Sequence, residues 1–324
     1  MPNLSGYVKT FLKLGVTGLA FWLVFRKLDA GQLWAVLSRT HLGWLVVATA
    51  LFIASKVLSA MRLRMLFEAG GLRLPAGFAL RLYWLGMFYN LFLPGGIGGD
   101  GYKVYYLNQL TGVGIKPLIT ATLLDRFIGL LPILWLTLLL ASLAFSGHLP
   151  GFTLPTYTLG GVSVPALLAL TATAFIRPVA AWAMHRFFPH FAPKLNPTML
   201  QSLGVQAVQC LCVWAIYRAI ATNGSLFAYQ FIFLVSSVVA ALPLTLGGAG
   251  ARELTFLAGA RYVGLPADGA VAISLLFYGI TALVSLSGGY YSWNKLPLHN
   301  HTYHENFAHR RGRFHRVPSD EKTA

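Results

Sequence analysis

The chain has 324 residues, 56% hydrophobic and 10% charged, with 25 Lys and Arg against 9 Asp and Glu, for a formal net charge of +16. Soluble domains run at roughly 45–50% apolar and about 25% charged, so this composition excludes a soluble enzyme. The basic excess sits between apolar stretches and in the last 30 residues, the pattern of cytoplasmic loops facing anionic headgroups and not of a nucleic-acid-binding face.

A helix crosses the bilayer with about 20 mostly apolar residues. Phe11–Phe25 is the first candidate; it ends in Phe25-Arg26-Lys27 with no small-residue cleavage pattern, so it reads as a retained anchor and not a signal peptide. Leu42–Ala60 follows, and then Phe78–Leu93, which runs into a glycine-rich break. Ile115–Phe145, Tyr157–Phe175 and Met199–Ile220 are further spans. Phe227–Leu246 meets a second glycine-rich break, and Ala267–Tyr291 is the last span. Cys210 and Cys212 share one span and read as buried thiols, not as a disulfide or metal knuckle.

The connections Met1–Lys13, Arg62–Arg81, Arg177–Lys194 and Lys295 onward are basic, whereas Ser146–Thr156 and Thr222–Ser225 hold no Lys or Arg. Both termini are therefore expected on the cytoplasmic side of the inner (plasma) membrane, although Arg26, Lys27 and Arg39 run against the rule. That orientation closes only if the segments around the two breaks enter the membrane and return. The predicted fold is an all-α polytopic membrane protein with six full transmembrane helices and two re-entrant hairpins. Irregular backbone at membrane depth must be buried in protein or line a wet cavity, and a cavity is expected here.

The two breaks also match each other. Leu93, Pro94, Gly98, Gly99, Gly101, Pro117 and Ala121 recur as Leu242, Pro243, Gly247, Gly248, Gly250, Pro266 and Ala270, all at an offset of 149 positions. One hairpin would start inside and the other outside, so the halves, near 78–145 and 227–293, are expected to be an inverted repeat. Transporters commonly have this layout, with the substrate near the midplane. Residues 1–294 form the membrane domain and 295–324 a disordered basic tail containing His299, His301, His304, His309 and His315. The histidine spacing fits no common metal site, and neither metal nor cofactor is expected.

Charges at membrane depth are costly and usually functional. Asp100, Lys103, Asp125, Arg126, Arg252 and Glu253 are the candidate headgroup ligands, expected as one polar cluster between the hairpins. Asp125 and Arg126 point about 100° apart on a helix, so each needs a partner elsewhere. The break Leu93–Lys103 reads LPGGIGGDGYK; amides at such a helix start suit an anion such as phosphate, while Asp100 suits an N-cap equally well. In the second break Glu253 is favoured by the helix dipole alone, whereas Arg252 is not, making Arg252 a candidate phosphate ligand. Asn90, Pro94, Gly95, Gly96, Gly98 and Gly99, with Pro243, Gly247, Gly248 and Gly250, are the expected re-entrant backbone. No Ser/His/Asp arrangement and no catalytic carboxylate pair stands out.

Three motifs in order, Asn90 with LPGGIGGD at Leu93–Asp100, LLDRFIGLL at Leu123–Leu131 and GGAGARE at Gly247–Glu253, resemble those of the lysylphosphatidylglycerol synthase transmembrane regions, also called flippase-like domains. The resemblance runs from about Tyr7 to Trp293. It implies a membrane domain that moves a lipid with a charged or sugar-bearing headgroup between leaflets. In the bifunctional synthases a soluble aminoacyl-transfer domain follows, and the chain ends about 30 residues after the last span, so synthase activity is not expected. Lys103 stands where many relatives are expected to carry arginine; lysine keeps the charge and loses the bidentate fork. The expected function is thus a non-enzymatic flippase-like transporter of an anionic phospholipid or a lipid-linked headgroup. The alternatives are a membrane partner of an aminoacyl or glycosyl transferase, or a structural subunit that recruits a soluble enzyme through its tail. Homo-oligomerisation is left open.

Overall fold

The computed structural model describes residues 34–35, 37–92, 98–145, 147–153, 158–159, 162–163, 174, 178–241 and 250–293. In chain order its elements are α1 (Leu42–Ala69), α2 (Ala76–Phe92), α3 (Gly98–Thr111), α4 (Ile115–Phe145), β1 (Thr158–Leu159) and β2 (Val162–Ser163). A helical stretch over 178–187 and a 3₁₀ turn at Ala192–Lys194 lead into α5 (Leu195–Ile220). Then come α6 (Leu226–Ala241), α7 (Ala251–Val263), α8 (Ala267–Ser287) and α9 (Gly289–Trp293).

Among the described residues four helical runs are long and apolar enough to cross a membrane: Leu42–Ala69, Ile115–Ala144, Ala192–Ile220 and Ala267–Trp293. The chain is therefore a multi-pass helical membrane protein. Val46, Phe127, Leu200 and Leu283 are exposed on these helices, as suits surfaces bathed by tails as apolar as leucine.

The antiparallel pair α1 and α5 forms the spine and has the most extensive packing among the described elements. Buried Ala48, Ser55, Ser59, Ala215 and Ala219 let the two helices approach closely. The Cys212 thiol donates to the Ala48 carbonyl at 3.2 Å, and the His41 amide donates to the Ala219 carbonyl at 2.9 Å. Both cysteines are free.

Two apolar cores lie toward opposite ends of this spine. One gathers Phe52, Ile216, Phe233, Phe256 and Phe277 from α1, α5, α6, α7 and α8. The other gathers Leu66, Leu82, Leu107, Leu118 and Leu195 from α1, α2, α3, α4 and α5. The pair α2–α3 thus packs with the start of α4 at one end, and α6–α7 with the start of α8 at the other. From there α8 leads back to the first end, where Gly288 lies against the Trp84 carbonyl and the Tyr89 and Ser292 hydroxyls are 2.9 Å apart. Among the described residues a short helix, a second short helix and a long helix occur twice in the same order.

Several expected boundaries need correction. The span Leu42–Ala60 continues to Ala69, taking Arg62 out of the predicted basic connection and into a buried helix. A charge ends a span only when it lacks partners, and Arg62 has them, as shown below. The predicted span Tyr157–Phe175 opens instead with an antiparallel pair, Thr158 opposite Ser163 and Leu159 opposite Val162. The intervening sequence is Gly160-Gly161, the composition that two-residue hairpin loops favour. The rest of that span, Phe11–Phe25 and the tail from Lys295 lie outside the described residues.

Glycine decides the joint between α2 and α3. A Cβ at Gly99 would overlap the backbone carbonyl of Gly86, whereas one at Gly101 would meet nothing within 4 Å. Overpacking of this kind costs about 1–3 kcal/mol, and replacing glycine by alanine in an open helical position gains up to about 1 kcal/mol. Gly99→Ala is therefore expected to lower the thermal unfolding temperature in detergent, and Gly101→Ala to hold or raise it. Equal behaviour of the two variants would refute the close-approach account.

Candidate functional site

The charged side chains lie in a seam between the helices, where each cation must find a counter-charge or an aromatic face. Asp100, in the first turn of α3 and 8% exposed, is held by two of them. The Lys103 ammonium lies 2.6 Å from one carboxylate oxygen and the Arg126 guanidinium, from α4, 2.5 Å from the other. Asp100 therefore does not act as the N-cap that its position suggests. Capping falls to Asn90, whose Oδ1 accepts the Gly99 amide at 2.9 Å, satisfying one of the donors that every helix start leaves open.

Asp125, one residue before Arg126, turns to another partner. Its Oδ1 accepts from Arg62 Nε at 2.7 Å, and Arg62 Nη1 donates to the Ser202 hydroxyl at 2.8 Å. One arginine thus ties α1 to α4 and α5. Tyr83 of α2 joins the two groups: Lys103 lies 5.1 Å from its ring centre, it interacts electrostatically with Asp125 and Arg62, and it is hydrogen-bonded with Ser59.

Across the bundle, Glu253 is fully buried. Its carboxylate accepts the Gly250 amide at 2.6 Å and the Ser274 hydroxyl at 3.0 Å, so it caps α7 and pins it to α8. Gly250, the N-cap, has φ 80°, a conformation that suits glycine. Arg252 points elsewhere, into the aromatic core, with its guanidinium 4.6 Å from the centre of the Phe277 ring and 5.6 Å from that of Phe233.

The structure therefore distributes the six expected ligands into three groups. Asp100, Lys103 and Arg126 are together; Asp125 belongs with Arg62; Arg252 and Glu253 lie on the other side, with different partners. Gly98 opens α3 and Gly250 precedes α7, while Pro94, Gly95, Gly96, Pro243, Gly247 and Gly248 lie outside the described residues.

Two residues were missed. Arg62 falls in the expected basic connection because the apolar run stops at Ala60. Lys56 was overlooked although it is the one charge within Leu42–Ala60, which is itself a signal of an intramembrane ionisable residue.

A family model described as the lysylphosphatidylglycerol synthase TM region matches residues 10–288. No curated protein matches the chain.

Removing one member of a buried ion pair costs about 3–5 kcal/mol, because the other charge is left uncompensated, whereas replacing both by apolar residues is often neutral. Arg62→Leu is expected to destabilise the protein by that amount in denaturant unfolding, and Arg62→Leu with Asp125→Leu to recover most of it. A double variant as unstable as the single one would show that the pair is not what Arg62 contributes.

Proposed function

Because the chain belongs to the family of lysylphosphatidylglycerol synthase transmembrane regions, we propose that it moves a phospholipid, or another lipid with an anionic headgroup, between the two leaflets. The observation that supports this most is the Asp100–Lys103–Arg126 cluster, placed beside a break between two short helices inside a membrane bundle. A headgroup entering hydrocarbon loses its water, and a charge deep in a membrane costs roughly 2.5–3.5 kcal/mol even on insertion scales. A seam of fixed charges and hydroxyls between the helices lowers that cost while the tails remain in lipid.

The placement of the two short-helix pairs supports an inverted repeat. With α2–α3 at one end of the spine and α6–α7 at the other, each pair faces its own leaflet. Alternating access then consists of one pair yielding to the headgroup while the other stays closed. Arg64, Arg73, Arg81, Lys116, Arg186 and Lys194 lie in or near the connections at the α2–α3 end, which we therefore place at the cytoplasmic face of the inner membrane, together with both termini. In this reading the protein is a transporter and needs no cofactor.

The test is lipid movement. Purified protein in liposomes is expected to speed the leaflet exchange of a labelled anionic phospholipid over protein-free vesicles, and Asp100→Asn to slow that exchange at least about tenfold while the protein still inserts. A charge-assisted hydrogen bond contributes about 1.5–3 kcal/mol, and about 1.4 kcal/mol is a factor of ten. No acceleration for any of a set of anionic and zwitterionic headgroups would favour a role as membrane partner of a lipid-modifying transferase.

A further inference from the structure

The seam is not electrically balanced. Among the described residues it contains the cations Lys56, Arg62, Lys103, Arg126 and Arg252 and the carboxylates Asp100, Asp125 and Glu253. Asp125 is spent on Arg62, Asp100 on Lys103 and Arg126, and Glu253 on the Gly250 amide and Ser274. Neither Lys56 nor Arg252 is in a salt bridge, and Glu253, beside Arg252 in sequence, acts on that guanidinium only electrostatically.

These two residues share one floor. The Lys56 ammonium lies 4.6 Å from the centre of the Phe52 ring, and the Arg252 guanidinium 4.6 Å from that of Phe277. The Phe52 and Phe277 rings are themselves in edge contact at 5.7 Å, so both cations rest on one aromatic cluster and lie within electrostatic range of each other. Arg252 Nη1 is buried and has no hydrogen-bond partner. Neither residue is wholly buried, which leaves the pair open to a ligand. Lys56 is near the middle of the 28-residue α1, about 20 Å from either end at the helical rise. Two like charges at that depth repel each other, and neither has a carboxylate in ion-pair contact.

We propose that Lys56 and Arg252 form a binding site for a phosphate group at the midplane of the bundle, with the Phe52–Phe277–Phe233 cluster as its floor. The guanidinium supplies a planar donor fork and the ammonium a point charge, the two kinds of donor that phosphate oxygens accept. The site deepens the lipid-transport reading and rests on it for the source of the phosphate, a phospholipid headgroup; free inorganic phosphate carries the same chemistry.

The experiment measures binding and not movement. The full-length protein, delipidated in a neutral detergent, is followed by thermal unfolding against short-chain phosphatidylglycerol, inorganic phosphate and short-chain diacylglycerol. The two phosphate probes separate the two sources, since a shift with phosphatidylglycerol alone identifies the lipid and a shift with both identifies any phosphate. Diacylglycerol is expected to give none. Lys56→Gln is expected to weaken the phosphate response about tenfold, yet to be no less stable than the native chain without ligand, because it removes an unpaired cation. Arg252→Lys is expected to retain part of the response that Arg252→Gln loses. The site is overturned if diacylglycerol stabilises as well as phosphatidylglycerol, if no phosphate probe stabilises the protein, or if Lys56→Gln keeps the native response. A protein that binds phosphate in this way but moves no lipid would refute the transport reading and leave the site standing.

Discussion

In the hydrocarbon of a bilayer no water is available to complete a hydrogen bond, and a polar group that the chain carries there must be satisfied by the chain, by a wet cavity or by a ligand. Most of the polar architecture follows from that constraint. Two helices begin at glycine-rich breaks, where open amides would be most costly, and each is closed by a side chain: Asn90 for the Gly99 amide and Glu253 for the Gly250 amide. Hydroxyls within the spans are turned onto their own backbone, as Ser55 and Ser59 are in α1, Thr122 in α4 and Ser202 in α5. Where a cation must be present it is either given a carboxylate or laid on an aromatic ring.

How far the sequence discloses this depends on whether the signal is local. Apolar length is local, and the helices around Ile115–Phe145, Met199–Ile220 and Ala267–Tyr291 were legible to within a few residues. The described short helices flank the stretches where glycine and proline interrupt the apolar runs, and the separate orientations of Asp125 and Arg126 follow from helical geometry alone. The partners were not. Arg62 meets Asp125 and Ser202 across 63 and 140 positions, and no spacing rule links them. For the same reason Arg62 was read as the end of a span: a charge looks like a boundary until its partners are known. The Gly160-Gly161 pair was hidden in a run whose overall hydropathy outweighed its turn chemistry.

Glutamate 253 illustrates how one residue type can be read in two ways. From the sequence it belongs with the ligands, as a carboxylate beside an arginine at membrane depth. In the fold it is wholly enclosed and engaged by Gly250 and Ser274, so it acts on the helix start and not on the exterior. Asp100, which in sequence suits an N-cap as well as a headgroup ligand, is the anchor of two cations contributed by two helices. Position in a motif suggests that a residue matters; only the distances say for what.

The spine of α1 and α5 bears on how such a molecule could yield. Its contact combines small side chains, alanine, serine and cysteine, with the edge-on pair Trp44–Trp214 and the Arg62–Ser202 bond, and it reaches into both cores. Close packing of that kind resists internal rearrangement. If the bundle opens to a headgroup as proposed, the change would fall on the helices attached at the spine's two ends, and each end could open on its own side without carrying strain through to the other.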